Sequence, residues 1–336
     1  MRIVKNLEKL GEILNTSDNI IIIGHYNPDG DCVGSTTGMY HYLKSIGNDS
    51  QIIIPSEIPH NLHFLNTTER EILIYEESKE RCDKLFSEAG LIISLDFNTP
   101  SRVNLMQEAL ESSKATKILI DHHISPNEDF FDVIVSDTEV SSACELLYQI
   151  LKGFVSTDAL PIECCNSLFS GLLTDTNNFN NSIYPQTLNM AAELLARGVD
   201  RNYIYQNIFC SYSRSRVELM GMVLNQRLKF IHNGEVAYML LSMKDKVDYS
   251  FQKGDSEGFV NIPLCIGDVK ISAIFTEYED QIRVSLRSKG DIDVNSFCRR
   301  YCNGGGHKNA SGGKLLMPLE CVGDYFERSI NEFLGE

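Results

Sequence analysis

The chain has 336 residues, 43% of them hydrophobic and 23% charged, with a formal net charge of −16 and a pI near 5.0. This is an ordinary globular composition, long enough for two domains with a core each. Its acidity excludes a protein built to track long duplex or single-stranded nucleic acid, which needs a basic groove to neutralise phosphates. No apolar run approaches the roughly 20 residues of a membrane span. The opening MRIVKNLEKLGEIL reads as an amphipathic helix rather than a signal peptide, so a cytoplasmic protein is expected. The ten cysteines show no C-x-x-C spacing and read as reduced, buried small hydrophobes.

In chain order, Asn19–Gly24 is a continuous β-branched run, the pattern of a strand buried on both faces. It runs into His25-Tyr26-Asn27-Pro28-Asp29-Gly30-Asp31, a tight loop, and then a helix from about Cys32 to Ile46. Ser50–Pro55, Leu91–Leu95, Ile118–His123 and Phe131–Val135 read as further strands. Strands alternating with helical stretches predict βαβ units and a mainly parallel sheet with helices on both faces. Helices follow over Ala143–Leu151, Ile162–Thr174, Pro185–Arg197 and Tyr203 through Leu228. Beyond about residue 229, Lys229–His232 and Glu235–Leu241 flank an Asn-Gly turn as a hairpin. Val269–Tyr278 and Gln281–Arg287 form a second pair, and Glu257–Asn261 starts a helix. The expected organisation is a catalytic α/β domain over 1–184, a helical linker over 185–228, and a smaller mixed α/β domain over 229–336.

In parallel sheets the ligand site lies outside the carboxyl ends of the strands. His25, Asp29, Asp31, Asp96, Asp121, His122 and His123 all occupy strand ends or the loop just after one. Asp175 ends a helix, where a carboxylate is unfavourable unless a cation is close. Singly, each has a structural explanation, such as an Asx turn at Asp29-Gly30-Asp31 or a cap at Asp96. Together they deliver acids and imidazoles from four segments to one edge, where they repel unless cations sit among them. Oxygen-rich ligation with some imidazole suits Mn²⁺, with Mg²⁺ as the alternative, and the ligand number fits two ions. Asn303–Gly313 carries Gly304, Gly305, Gly306 and His307, a loop whose amides can wrap a phosphate beside Arg283 and Arg287. His41, His60, His63 and His232 read as structural or surface residues.

These residues carry a resemblance. His25-Tyr26-Asn27-Pro28-Asp29-Gly30-Asp31, Asp96 after a strand, Asp121-His122-His123 and Gly171-Leu172-Leu173-Thr174-Asp175-Thr176 match the four motifs of the DHH phosphoesterases. Gly304–His307 and Glu257–Asn261 resemble the DHH-associated second domain. The chain looks most like the stand-alone branch of oligoribonuclease (nano-RNase)/3′-phosphoadenosine 5′-phosphate phosphatases. That resemblance implies His25, Asp29 and Asp96 on one metal, and Asp31, Asp96, His122 and Asp175 on the other. It implies His123 toward the scissile phosphate, Asp121 in support, and Arg283, Arg287 and His307 on the substrate's other end. The expected reaction is Mn²⁺-dependent hydrolysis of oligoribonucleotides of two to five nucleotides, or of 3′-phosphoadenosine 5′-phosphate, by in-line attack of a hydroxide shared by two metals. A pApA or cyclic-di-AMP phosphodiesterase is the runner-up, ahead of an exopolyphosphatase or a non-catalytic nucleotide sensor. The expected partners are short oligoribonucleotides or small bisphosphorylated nucleotides, without membrane or long duplex. Oligomeric state stays open, a homodimer included.

Overall fold

The computed structural model describes residues 4–66, 72–252 and 254–335, so the first three residues of the opening helix lie outside it. The chain divides into two compact units, residues 1–211 and 212–336. That division falls inside the segment expected to be a linker. The helices at 185–209 belong to the first unit, and the helix at 214–222 to the second.

In the first unit the elements are α1 (Val4–Thr16), β1 (Ile20–Ile23), α2 (Gly30–Ser45), β2 (Ser50–Ile54), β3 (Ile72–Ile74), α3 (Lys79–Glu88), β4 (Leu91–Leu95), α4 (Gln107–Ser112), β5 (Thr116–Asp121) and β6 (Val133–Ser136). After them come α5 (Ala143–Lys152), α6 (Ile162–Asp175), α7 (Pro185–Arg197) and α8 (Arg201–Phe209). The six strands form one parallel sheet in the order β3-β2-β1-β4-β5-β6. The order reverses between β1 and β4, the point at which such sheets open a crevice for ligand. Successive strand residues go to opposite faces: Ile20 and Ile22 join the core under α1, α2 and α5 to α8, while Ile21 and Ile23 join the core under α3 and α4. The three-residue strand β3 was not anticipated from the sequence, because its run is too short to show a period.

Helix α2 carries little apolar surface and is nonetheless buried between the sheet and α6. Thr36 Oγ1 donates to the Cys32 carbonyl at 2.8 Å and Thr37 Oγ1 to the Val33 carbonyl at 2.6 Å, so its buried hydroxyls are satisfied within the helix. Its glycines let α6 come close. A Cβ on Gly34 would sit 2.6 Å from the Ser167 carbonyl oxygen, and one on Gly30 would sit 2.3 Å from the Thr174 side chain. The expected helix through Tyr203–Leu228 is broken. Helix α8 ends at Cys210, and α9 (Arg214–Met222) restarts on Ser213, whose hydroxyl accepts from the Arg216 amide. A π-turn over Val223–Arg227 then leads into strand.

The second unit holds α9, β7 (Leu228–Ile231), β8 (Val236–Leu241), α10 (Met243–Asp248), β9 (Ile271–Glu277), β10 (Ile282–Ser288), α11 (Val294–Tyr301), β11 (Gly305–His307), β12 (Ala310–Leu315) and α12 (Leu319–Gly335). Its mixed sheet has the order β11-β12-β10-β9-β8-β7. One face packs on α11 and α12 through Val284, Leu286, Phe297 and Phe326. The other is covered over β8 and β9 by α9 and a 3-10 helix, Phe259–Cys265, the form taken by the helix expected from Glu257. Seven of the ten cysteines are buried as expected, but Cys210, Cys265 and Cys321 are exposed.

Lys246 on α10 is buried, with its ammonium 3.3 Å from the Tyr278 ring centroid and donating to the Glu277 carbonyl. Burial brings its pKa down to about 8 from 10.5. Between those values the unfolded chain holds more protons, so stability rises with pH there, and below about 8 the cost of burying the charge is fully present. Urea midpoints by circular dichroism at pH 7.5 and pH 10 should therefore show the wild type gaining on Lys246→Met. Parallel behaviour of the two would refute this. The α2–α6 contact makes a second prediction: Gly34→Ala should cost about 3 kcal/mol in urea unfolding, because a backbone oxygen cannot yield to the added methyl. Gly221→Ala on α9, where nothing lies within 4 Å of the new atom, should instead stabilise by about 0.5–1 kcal/mol.

Candidate metal centre

Strand β1 delivers His25, β4 delivers Asp96, and β5 ends in Asp121 followed by His122 and His123. Asp29 caps α2, its Oδ1 accepting from the amides of Asp31 and Cys32 at 3.1 Å each. The Asx bond expected for a mere turn is thus present, and the same carboxylate also lies 3.7 Å from His25 Nε2. Asp31, in the first turn of α2, is fully buried and reaches the N-terminus of α5. Its Oδ2 accepts from the Ala143 amide at 2.6 Å and its Oδ1 from the Cys144 amide at 2.9 Å. Asp96 stands in the left-handed region, φ +63°, which turns its carboxylate away from the line of β4; backbone of this kind costs energy and concentrates at functional sites. Asp175, the last residue of α6, arrives beside α2 through the glycine-lined helix contact.

The polar atoms converge at 3.4–3.7 Å. His25 Nε2 lies 3.4 Å from Asp96 Oδ2, and His122 Nε2 lies 3.5 Å from Asp96 Oδ1, 3.7 Å from Asp31 Oδ2 and 3.5 Å from Asp175 Oδ2. The trios His25–Asp29–Asp96, Asp31–Asp96–His122 and Asp96–Asp121–His123 each bring ligand atoms within 4.8 Å, and Asp96 is common to all three. His123 differs from the other imidazoles. Its Nδ1 is 2.7 Å from Asp121 Oδ1, and its amide donates to Asp121 Oδ2 at 3.1 Å.

The donor set fits divalent ions. Asp96 Oδ1 is buried without a hydrogen-bond partner among the described residues, which is costly unless a cation satisfies it. Separations of 3.4–3.7 Å are long for hydrogen bonds, but near the ligand–ligand edges of roughly 3–3.5 Å around an ion with bonds of roughly 2.1 Å. His25 Nδ1 lies 3.0 Å from the Tyr26 carbonyl, a contact that keeps the proton on Nδ1 and leaves Nε2 for a ligand. The titration of the cluster shows how much positive charge it wants. Burial works against the imidazolium of His25, yet Asp29 and Asp96 outweigh it and bring its pKa up to about 10. Burial likewise opposes His122, which Asp96, Asp175 and Asp31 bring up to about 10. Burial and then the Asp96 charge push Asp31 up to about 7, and desolvation and then the Asp31 charge push Asp175 well above the usual carboxylate range. Asp96 goes the other way: burial raises it, but His122 and His25 hold it well below that range.

In the second unit the expected glycine loop is a strand. Gly305–His307 pairs with Ala310–Gly312, and the Gly306 amide donates to Asn295 Oδ1 at 3.0 Å and the Gly304 amide to the Cys298 carbonyl at 3.2 Å. These two amides are spent inside the fold, which corrects the expectation that they wrap a phosphate. Gly304 is required by packing, since a Cβ there would meet the Gly312 carbonyl at 2.0 Å. Arg283 and Arg287 do come together, on the face of β10 that α9 and the 3-10 helix leave uncovered. They line a shallow pocket with Ser285, Thr276, Tyr278 and Glu257. Arg287 donates to the Leu286 carbonyl at 2.9 Å and feels the charge of Glu257 in the same pocket. Pairing across the strands puts Ala310 and His307 in the row of Arg287, and Lys314 beside Arg283. Lys314 escaped the sequence reading. Taking 310–315 as a strand would have found it, because period two places Ala310, Gly312 and Lys314 on one face.

Residues 19–173 match the DHH family N-terminal domain, and residues 233–333 match the DHHA1 domain. The bifunctional oligoribonuclease and PAP phosphatase NrnA of Mycoplasma genitalium is 30% identical over 301 residues, 88% of each chain. The chain belongs to the DHH family. It is a hydrolase acting on phosphoester bonds. The cyclic-di-AMP phosphodiesterase GdpP of Bacillus subtilis is 25% identical over 340 residues, 96% of this chain but 50% of that protein. The crystal structure of an exopolyphosphatase-related protein from Bacteroides fragilis superposes with a TM-score of 0.92 at 35% identity, covering 98% of this chain and 96% of that one. No helix among the described residues is long and apolar enough to cross a membrane.

If the acidic cluster binds divalent ions, the folded chain gains their binding energy. Adding Mn²⁺ at a hundredfold excess over its Kd should stabilise the chain by about 2–3 kcal/mol, read as a rise in Tm, and Asp96→Asn should remove most of that rise. An unchanged Tm with Mn²⁺ and with Mg²⁺ would count against a metal centre.

Proposed function

We propose that this DHH-family hydrolase is a cytoplasmic Mn²⁺-dependent enzyme that cleaves short oligoribonucleotides to mononucleotides and dephosphorylates 3′-phosphoadenosine 5′-phosphate. The observation that carries this reading is the convergence of His25, Asp29, Asp31, Asp96, His122 and Asp175 beside the Asp121–His123 pair. Similarity to the bifunctional NrnA over most of both chains supports the substrate class. One ion would be held by His25, Asp29 and Asp96, and the other by Asp31, Asp96, His122 and Asp175. When bound, two such ions supply positive charge that polarises phosphoryl oxygens and acidifies the attacking water.

The protein's own part falls to the Asp121–His123 pair. Asp121 is fully buried and fixes the His123 ring through Nδ1, so Nε2 would be the nitrogen that meets the substrate. From there it can hydrogen-bond a non-bridging oxygen as charge builds on the phosphorus, and hand its proton to the leaving oxygen. The buried carboxylate holds the ring in that orientation while the proton is handed over. In the second unit, Arg287 and Arg283 would bind the substrate's other phosphate, with Lys314 and His307 on the same face. Productive substrates would then carry a second phosphate besides the one that is cleaved.

A second reading is hydrolysis of pApA or cyclic-di-AMP, supported by similarity to GdpP over nearly the whole of this chain. Kinetics with Mn²⁺ on two- to five-nucleotide RNA, 3′-phosphoadenosine 5′-phosphate, pApA, cyclic-di-AMP and polyphosphate separate the two. The first reading expects the highest kcat/KM on the first two substrates, and a clear preference for cyclic-di-AMP would replace it. His123→Ala and Asp121→Asn should each lower kcat by about 10²–10⁴ while the Mn²⁺-induced rise in Tm persists. Full turnover in both variants would rule out the proton-donor role.

A further inference from the structure

One aromatic ring beside the arginine pocket is unaccounted for by phosphate binding. Tyr278 follows β9, two positions beyond Thr276, whose register partner is Arg283. Its amide donates to the Gln281 carbonyl at 2.8 Å, which fixes the backbone where the chain turns into β10. The side chain lines the same pocket as Arg283 and Arg287, and 37% of the residue is exposed. Among the described residues no other aromatic ring packs against it, and its hydroxyl has no hydrogen-bond partner. The Lys246 ammonium sits 3.3 Å from its centroid, also near the Phe251 ring, and donates to the Glu277 carbonyl. One face of the ring is therefore covered by a buried cation, while more than a third of the residue stays exposed beside the pocket. A large apolar ring kept at the rim of a polar, cationic pocket is out of place for a site that reads phosphate alone, since a guanidinium pair needs no flat apolar neighbour.

We propose that the pocket-facing side of Tyr278 is a stacking platform for a nucleobase, so that the second unit binds a nucleotide, purine preferred, rather than a bare phosphate. This rests on the reading that Arg283 and Arg287 hold the substrate's non-scissile phosphate. Lys246 acts as a positioning residue: it draws electron density from the closed face of the ring, which favours stacking with an electron-rich purine, and it anchors the ring to the Glu277 backbone. Register places Tyr278 one same-face position beyond the Thr276 partner of Arg283, so a phosphate on Arg283 and a base on Tyr278 can belong to one nucleotide. Ser285 and Thr276, in the same pocket, offer hydroxyls to the intervening sugar.

The test is equilibrium binding of AMP, UMP, ribose 5-phosphate and inorganic phosphate to the full chain in EDTA, which removes divalent ions from the acidic cluster. The wild type should bind AMP on the order of 10-fold more tightly than ribose 5-phosphate, with UMP between them. Tyr278→Leu should bring AMP down to the level of ribose 5-phosphate, and Tyr278→Phe should restore the difference. Equal affinities for AMP and ribose 5-phosphate in the wild type, or a difference that survives in Tyr278→Leu, would overturn the proposal. The phosphate reading fails separately if Arg287→Gln leaves ribose 5-phosphate binding where it was, and the Tyr278 comparison still decides the stacking.

Discussion

Buried carboxylates that face one another need positive charge between them, and the first unit is arranged around that requirement. Asp31 and Asp96 are almost wholly removed from water, and both face His122 together with Asp175. Without ions the two imidazoles supply the charge, which is why both are held protonated so far above their ordinary range. A divalent ion does the same work better, since it displaces those protons and meets several oxygens at once. Asp96 is the pivot, because it alone belongs to each of the three ligand groups formed within the first unit.

The cost of such a cluster is met by the backbone as well as by ions. Asp31 takes the first two amides of α5, where the helix dipole favours negative charge. Those amides are held in place in turn. Glu145 on α5, itself fully buried, accepts from the Ser141 amide and hydroxyl and from the Thr187 hydroxyl of α7, and so fixes the turn that precedes the helix. The other constraint is helix spacing. Asp175 meets Asp31 only because α6 can approach α2 at Gly30, Gly34 and Gly171, where a Cβ would lie 2.3–2.9 Å from an atom across the contact. The metal centre thus depends on residues with no chemistry of their own.

Much of this was legible in the sequence, for physical reasons that also mark its limits. Strands β1, β4 and β5 announce themselves because a strand covered on both faces must be apolar throughout, and the acids that follow them stand out against that run. The order of the strands, and with it the position of the crevice between β1 and β4, does not follow from local pattern, because it is set by crossovers. The contact of Asp31 with α5 spans more than a hundred residues of chain and leaves no local trace. Gly304–His307 misled because glycine serves two purposes with one appearance. It allows amides to cradle an anion, and it allows strands to pack where a side chain would collide, which is its use here. Tyr203–Leu228 misled because helical composition continues across Cys210–Ser213, and only the Ser213 cap marks the restart.

On the proposed reading, the second unit would let an acidic protein take an anionic substrate. At physiological ionic strength charges are screened beyond about 8 Å, so the net charge of −16 sets the long-range field while neighbouring side chains decide what is bound. Arg283, Arg287 and Lys314 occupy adjacent positions on one half of one sheet face, the half that the second unit's own helices leave bare. Ala310 and Gly312 lie among them and keep that surface flat. A patch of this size would match one phosphate and its nucleoside, and a long strand would find no further cations of this row to meet its remaining phosphates. Discrimination by length would then need no steric gate, because the cationic surface ends within a residue or two of where it begins.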